Sequence, residues 1–296
     1  MKRLSLAALT LAAMSSTAFA ADLMIDSGVV EAPAAAASTL SGDFEGYVGG
    51  LSLTDADETY SFNGYLLGGA ARVNAWLSDQ VSAQFDLSGE MLNGGDPDGE
   101  SSDYSVLEAA AHVNWRTSDL LLGVFGSVGA MSDSDYAALG DGSFATIGGE
   151  AMSTMDKIQL YGQVGYTKGF GDVDDVSALY ARGEIRYFVN PNMMLSADIG
   201  VARVDYGKSD QIDAVKWGAK AEYRFDDSPI SIYAAYQGNY QTESDEDEEW
   251  TVHTALVGIK FNFGSDTLED AAKSGATLHD YNPITGYEHL RYVEWE

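Results

Sequence analysis

The chain alternates apolar residues with small or polar ones along repeated segments between residues 43 and 263. A period of two is what a pleated strand produces when its two faces meet different surroundings. In the segment 80–91, polar side chains fill the even positions, whereas Val81, Phe85 and Leu87 lie at odd positions. A helix would place residues i and i+4 on one face, and the apolar residues of these segments do not follow that spacing.

The whole region divides into segments of this kind, which predict β-strands. They span residues 43–53, 62–77, 80–91, 104–116, 119–131, 143–153, 157–169, 176–189, 192–205, 213–225, 229–241 and 249–263. Short connections rich in Asn, Asp, Ser and Pro alternate with longer acidic ones, and the longer ones are 54–61, 92–103, 132–142, 170–175, 206–212 and 242–248. This rhythm predicts an all-β fold, a closed antiparallel transmembrane β-barrel of about 12 strands within a range of about 10–14.

A soluble antiparallel sandwich is the alternative fold, since its strands alternate too. A sandwich explains neither the regular alternation of long and short connections nor the aromatic residues at strand ends. Such aromatic residues are typical of the interfacial girdles of membrane barrels. The parity of each strand then assigns its side chains. We expect Phe85, Leu87, Ile158, Leu160, Ile199, Trp217, Ile232 and Ile259 to face lipid, and Asp86, Gln159, Arg182, Lys220 and Arg224 to face the lumen.

The composition narrows the function classes. The formal charge is −30 and the isoelectric point about 4.1, which argues against nucleic-acid binding and favours attraction of cations. The chain has no cysteine, so it forms neither disulfides nor thiolate metal sites. No stretch reaches the ~18 consecutive apolar residues of a membrane helix, and the mean hydropathy of −0.14 suits a barrel whose two faces average out.

Both ends of the chain differ from the strand region. Residues 1–20 have a basic start, a short apolar core and an Ala18-Phe19-Ala20 cleavage signal, which predict a signal peptide. The Ala-rich residues 21–42 predict a periplasmic linker ahead of the barrel at 43–264. Residues 265–296 are interpreted as a C-terminal periplasmic extension. A plug in the lumen or a cell-wall contact stays open as an alternative for this tail.

The chain resembles Gram-negative outer-membrane β-barrel proteins, especially porin-like ones of the alphaproteobacterial type. The signal peptide, the first-strand pattern from Phe44 to Gly50 and the last-strand ending from Gly258 to Gly264 carry the resemblance. It implies a place in the outer membrane after export to the periplasm, with outer-membrane lipid, lipopolysaccharide and the barrel-assembly machinery as partners. In such proteins a terminal aromatic is the assembly signal, a role that would fall to Phe263.

Charged residues of predicted lumenal parity form two groups. A basic wall comprises Arg182, Arg186, Lys216, Lys220 and Arg224, and an acidic wall comprises Asp86, Glu90, Glu108 and Glu150. Their strands lie on roughly opposite sides of a twelve-stranded barrel, so the walls create a transverse field. We expect a porin-like channel for passive diffusion of small hydrophilic solutes or ions. The alternative is a structural or surface-interaction barrel whose charges pair and fill the lumen.

Other chemistry has weaker support in the sequence. The segment Asp96-Pro97-Asp98-Gly99-Glu100 lacks the third ligand and the distal Glu of a calcium loop, so we expect no metal or other cofactor. His112 could lie near Asp86 and either Ser82 or Ser88 on the neighbouring strand. These residue types are those of a catalytic Ser–His–Asp triad. No flanking motif supports it, and we expect no enzymatic activity.

Overall fold

The computed structural model describes residues 40–55, 61–95, 101–133, 142–171, 173–207, 211–243, 249–276 and 278–279. The strands are β1 (Leu40–Asp55), β2 (Ser61–Trp76), β3 (Val81–Gly95), β4 (Ser101–Arg116), β5 (Leu120–Asp133), β6 (Gly142–Met155), β7 (Ile158–Gly171), β8 (Val176–Asn190), β9 (Met193–Tyr206), β10 (Gln211–Arg224), β11 (Ile230–Glu243) and β12 (Glu249–Phe263). One short helix, α1 (Leu268–Ser274), follows them. The predicted signal peptide, the linker up to residue 39 and residues 280–296 lie outside the described residues.

Each strand pairs antiparallel with its neighbours in sequence, and β1 pairs with β12 to close the barrel. The closing register places Gly42 opposite Phe263 and Leu53 opposite Val252. This confirms the predicted closed antiparallel barrel and its twelve strands. The strands run further than predicted at the end with the long connections, so that β7 and β8 are joined by residues 172–175 alone. We call this end the loop end and the opposite one the turn end.

The tight connections at the turn end follow the turn chemistry of their residues. Asp156 and Asp227 adopt positive φ angles of 53° and 55°, a region that Asp tolerates better than most side chains. The Ser78 hydroxyl accepts a hydrogen bond from the Val81 amide, and the Thr117 hydroxyl accepts one from the Leu120 amide. Local hydrogen bonds therefore fix the hairpins that set the strand register.

The outer face is apolar, as the parity of the strands predicts. Phe85, Ile199 and Ile259 are each more than half exposed, whereas Gln159 is fully buried inside the barrel. Trp217 is only partly exposed because its indole lies over Gly238 on β11, where a Cβ would come within 2.3 Å of the ring. Among the described residues, no helix has the length and apolar character to cross a membrane.

The loop end of the lumen is filled by apolar side chains that point inward from most strands. This loop-end cluster consists of Leu51, Leu53, Leu66, Leu92, Tyr104, Met131, Phe144, Val173, Val176, Ala178, Val204, Ile212 and Val252. All are 5 % exposed or less. The ring of Phe144 lies against Gly129 on β5, within 2.1 Å of where a Cβ would stand, so glycine is needed for this close packing.

The C-terminal segment, residues 265–276 and 278–279, lies inside the turn end of the barrel. The sequence predicts a periplasmic extension from residue 265 and leaves a plug in the lumen open as an alternative. The described part of the segment contacts the lumen wall through Gln84 and Gln159. Gly264, at a φ of +72°, packs so close to Leu40 and Ser41 that no side chain fits. It turns the chain back into the lumen, where Thr267 caps α1 by accepting from the Asp270 amide.

Candidate functional site: a charged belt in the lumen

Ion pairs cross the seam where the first and last strands close the barrel. Arg72 on β2 binds Asp43 and Glu45 on β1, each at 2.7 Å. Lys260 on β12 lies opposite Glu45 in the register and approaches it at 3.7 Å. All four side chains are less than 10 % exposed. Burial of these charges requires partners, and the network supplies them across three strands.

The network continues along the next strands. Glu222 on β10 accepts from Lys220 at 2.7 Å and from Lys260 at 3.3 Å, so one carboxylate holds two ammonium groups. The Lys220 ammonium also stands 4.3 Å from the centre of the Tyr233 ring on β11. A cation over a ring face is a further favourable contact, and it brings β11 into the network.

Strands β8 and β9 carry the next part. Glu184 receives hydrogen bonds from Arg186 at 2.9 Å and from Arg182 at 3.5 Å. Arg182 also lies 3.7 Å from Asp198 on β9. Arg182, Glu184 and Arg186 alternate along one strand face, which gives an i, i+2 pairing within the strand.

The remaining side of the barrel carries a buried histidine between two carboxylates. His112 Nε2 lies 3.2 Å from Asp86, and Nδ1 lies 2.9 Å from Glu150. The other Glu150 oxygen accepts from the Tyr161 hydroxyl at 2.8 Å. The His112 ring stacks on Phe125 of β5 with the ring centres 5.5 Å apart.

Together these groups include at least one member from every strand, and we call them the charged belt. Its members are Asp43, Glu45, Arg72, Asp86, His112, Phe125, Glu150, Tyr161, Arg182, Glu184, Arg186, Asp198, Lys220, Glu222, Tyr233 and Lys260. Part of the belt borders a cavity of about 360 Å³. Ser88, Glu90, Glu108 and Lys216 line the same cavity.

The C-terminal segment meets the belt from the turn end. His279 lines the cavity. Its burial and the nearby cations Arg72, Lys260, Arg186 and Lys220 lower its pKa well below the usual range. The imidazole is therefore neutral at neutral pH.

The structure places the predicted basic wall only in part as the sequence suggests. Arg182, Arg186, Lys216 and Lys220 line the cavity. Arg224 lies at the turn end instead, where its guanidinium donates to the carbonyls of Ser228 and Ser265. The wall is not basic alone, because Glu184, Asp198 and Glu222 stand between these cations and neutralise them.

The predicted acidic wall is also divided. Asp86, Glu90 and Glu108 line the cavity, whereas Glu150 is 6 % exposed and belongs to the His112 contact. Glu90 accepts from the Tyr47 hydroxyl at 2.8 Å, and Glu108 accepts from the Ser127 hydroxyl at 2.6 Å. Neighbouring strands thus supply hydroxyl donors that sequence parity alone does not reveal.

Several members of the charged belt are not among the residues of the two predicted walls. The sequence feature that could have identified them is inward parity on the first two strands and the last strand. Asp43, Glu45, Arg72 and Lys260 all have inward parity on strands that the closed barrel brings together. Phe263, the predicted assembly signal, stacks on Phe44 with the ring centres 5.7 Å apart. Within the described residues, no group of His, Asp and Glu is arranged to hold a metal ion.

Comparison with known proteins shows the fold. No protein-family model matches the chain, and no curated protein matches it. An outer membrane channel from Pseudomonas putida F1 is similar at 12 % identity, covering 81 % of this chain and 100 % of that chain, with a TM-score of 0.58. The beta domain of the Bordetella autotransporter BrkA is 13 % identical, with coverages of 75 % and 99 % and a TM-score of 0.50.

The translocator domain of the autotransporter NalP from Neisseria meningitidis is 13 % identical, with coverages of 87 % and 98 % and a TM-score of 0.49. The Pseudomonas putida channel and the Bordetella beta domain are outer-membrane barrels of Gram-negative bacteria, and the chain shares their fold. An alphaproteobacterial origin stays a prediction.

Proposed function

We propose that the chain is an outer-membrane channel for passive diffusion of small hydrophilic solutes or ions, and that this structure is its closed state. The charged belt around a central cavity is the observation that carries the proposal. Charged groups inside a barrel tune the passage of small polar solutes. We further propose lipopolysaccharide, outer-membrane lipid and the barrel-assembly machinery as partners, the last through Phe263, and no enzymatic activity.

The cost of the belt supports a transport role. Buried ion pairs are seldom more stabilising than apolar side chains of similar volume, because each charge loses its hydration. The loop-end cluster demonstrates that this same barrel accommodates an apolar filling. A barrel that served only as a structural element would gain nothing from sixteen polar or aromatic belt members in place of such a filling. In a channel, by contrast, these charges have a function, because they contact the solutes that pass through the lumen.

The apolar outer face and the likeness to the Pseudomonas putida channel support the location and the class. Outward side chains such as Val124, Val128 and Ile147 are more than 60 % exposed, which suits contact with lipid. The likeness itself concerns the fold, so the channel role is part of the proposal.

A structural or surface-interaction barrel without transport is the second candidate. The loop-end cluster favours it, because thirteen inward side chains that are almost fully buried close that end. The C-terminal segment occupies the other end. Conduction therefore requires movement at both ends, whereas a structural barrel requires none.

Planar-bilayer recordings distinguish the two candidates. The variant is the triple substitution Lys220→Met, Glu222→Leu and Lys260→Met, which replaces a connected ion triad by apolar side chains of similar length. We expect the native protein to show brief openings and the variant to be silent, with stability equal or higher by about 1–4 kcal/mol. The matched control replaces the exposed outer pair, Arg203→Met and Asp213→Leu, and should leave openings unchanged.

Two results would contradict the proposal of a channel bordered by the charged belt. A native protein that never conducts over a range of voltages would favour the structural barrel. A triple variant that conducts with unchanged ion preference would show that the belt does not border the pathway.

A further inference from the structure

The wall of the turn end contacts the main chain of the C-terminal segment. Gln84 donates to the Leu278 carbonyl at 3.0 Å and accepts from the Leu278 amide at 3.3 Å. One side chain therefore forms hydrogen bonds with both backbone groups of one residue. Gln159 donates to the Ala272 carbonyl at 3.2 Å. A side-chain amide that pairs with both N–H and C=O reproduces the pattern of a strand partner.

The end of α1 is held in the same way. Trp76 and Asn74 donate to the Ser274 carbonyl at 3.0 and 3.3 Å. Arg116 donates to the Gly275 carbonyl at 3.2 Å. Carbonyls at a helix C-terminus lack partners within the helix and carry partial negative charge, so these donors satisfy them.

Four of the five donors are deeply buried polar groups that the barrel itself positions, and Trp76 is partly exposed. Gln84, Gln159 and Asn74 are completely buried, and Arg116 is 2 % exposed. They come from β3, β7, β2 and β4, so the contacts surround the segment rather than touch one side of it. Buried donors need acceptors, and the segment provides four main-chain carbonyls between residues 272 and 278.

Two apolar anchors, formed by three residues of the segment, add side-chain selectivity. Leu278 is fully buried against Leu121, Met152 and Tyr161. Leu268 and Ala272 pack on Phe188, which is also fully buried. Most of the other hydrogen bonds reach main-chain carbonyls of the segment and place little restriction on its side chains. The side chains of Ser265, whose hydroxyl accepts from Arg224 at 3.3 Å, and of His279, which lines the cavity, are exceptions.

We infer that the turn end of the lumen is a peptide-binding site that recognises main-chain carbonyls and two apolar anchors, and that the chain's own C-terminal segment is its ligand. The site is occupied in cis in this structure. A separate peptide with the same sequence should bind once the cis segment has left. The inference concerns binding and holds whether or not the barrel conducts.

The covalent link explains why the site is filled. A tethered ligand has an effective concentration on the order of millimolar, so the cis segment outcompetes a free peptide of equal affinity until that concentration is reached. Weakening the cis ligand at one anchor should therefore expose the site while the barrel keeps its full length.

The first experiment uses full-length protein in detergent micelles. The variant Leu278→Asp places a charge in the apolar anchor pocket of the cis segment, and a fluorescein-labelled synthetic peptide of residues 265–296 is added. We expect fluorescence anisotropy to show binding at least about tenfold tighter than to the native protein. Lys273→Ala, at an exposed position of α1, is the matched control and should bind as weakly as the native protein.

Two changes test the recognition itself. A labelled peptide carrying Leu278→Asp should fail to bind any of the barrels. Gln84→Leu, added to the Leu278→Asp barrel, should weaken binding of the native peptide, whereas Gln80→Leu at the exposed turn should not. Equal binding of both peptides, or a folded Leu278→Asp barrel that binds neither, would overturn the inference.

A second measurement avoids variants that disturb folding. Because the chain has no cysteine, Ala272→Cys gives a single reactive group that is buried while the segment is docked. We expect slow reaction with a polar maleimide, and faster reaction when the unlabelled native peptide is added at about millimolar concentration. An unchanged rate would show that the segment is a fixed part of the barrel, and neither readout depends on conductance.

Discussion

The loop-end cluster and the charged belt lie on the same strands, but the cluster fills the lumen with apolar side chains and the belt fills it mainly with paired charges. Strand β1 contributes Leu51 to the cluster and Glu45 to the belt, and β10 contributes Ile212 and Lys220. All four side chains have the same inward parity. Height along the barrel, rather than parity, therefore decides whether an inward position is apolar or charged.

The two regions should also fail differently. An apolar side chain removed from the cluster leaves a cavity, and the neighbours lose transfer energy and dispersion contacts. A charge removed from the belt leaves its partner buried without compensation, which costs more than the pair itself contributes. A single substitution in each region therefore tests whether the belt is a network of real ion pairs or a hydrated space.

The largest loss is expected from Arg72→Ala. It leaves Asp43 and Glu45 with Lys260 as the nearest cation, at 3.7 Å from Glu45. We expect the free energy of unfolding to fall by about 3–5 kcal/mol, measured by equilibrium urea unfolding in lipid vesicles. A loss below about 1 kcal/mol would mean that water solvates these carboxylates and that the belt is not desolvated.

A somewhat smaller loss is expected in the cluster from Leu66→Ala. The side chain is 1 % exposed, and the surrounding strands cannot collapse onto the space it leaves. We expect a loss of about 3 kcal/mol in the same assay. Unlike the Arg72 variant, this one should not respond to salt, because no charge is involved. Salt dependence here would show that the two regions are coupled.

The contrast between the regions also marks what the sequence predicts and what it does not. Alternation is a local property, so it reveals the strands and their facing, and the rhythm of connections reveals closure. The pairing of Glu184 with Arg182 and Arg186, and of Glu222 with Lys220, is local too, since these residues are two positions apart on one strand. The cross-strand partners are not local, because they depend on register.

The C-terminal segment has no comparable signal in the sequence. Its helix has seven residues, and most of its contacts use main-chain carbonyls, which are the same in any sequence. Only the burial of Leu278 and of the pair Leu268 and Ala272 identifies the two anchors. Side-chain patterns therefore predict the barrel well and the ligand inside it poorly.

The belt should also make docking of the C-terminal segment pH-dependent through His279. The released histidine titrates near pH 6.5, whereas the docked one is held neutral to a lower pH. Docking is then at full strength above about pH 7 and weakens about tenfold for each pH unit below about 6.5, or about 2 kcal/mol at pH 5. The change is measured as the rate at which the Ala272→Cys variant reacts with maleimide at each pH. Each rate is corrected for the fraction of thiolate at that pH.

His279→Gln isolates this contribution from the other groups that face the histidine. Those groups are the cations Arg72, Arg186, Lys220 and Lys260 and their carboxylate partners Glu45, Glu184 and Glu222. Their charges are common to both proteins, so the Gln variant should lose the His279 part of the pH dependence. A variant with the native profile would assign the effect to the carboxylates.

The smallest effect is expected where an ion pair stands outside the lumen. Arg203 and Asp213 form two hydrogen bonds, at 2.7 and 2.8 Å, and their geometry matches that of the best belt pairs. Both side chains are more than half exposed, so water and salt screen the attraction. Arg203→Ala should leave the free energy of unfolding almost unchanged in the urea assay, with any difference from native protein vanishing in high salt. Because the chemistry of the pair is the same as in the belt, a loss as large as that of Arg72→Ala would mean that burial does not distinguish the two sites.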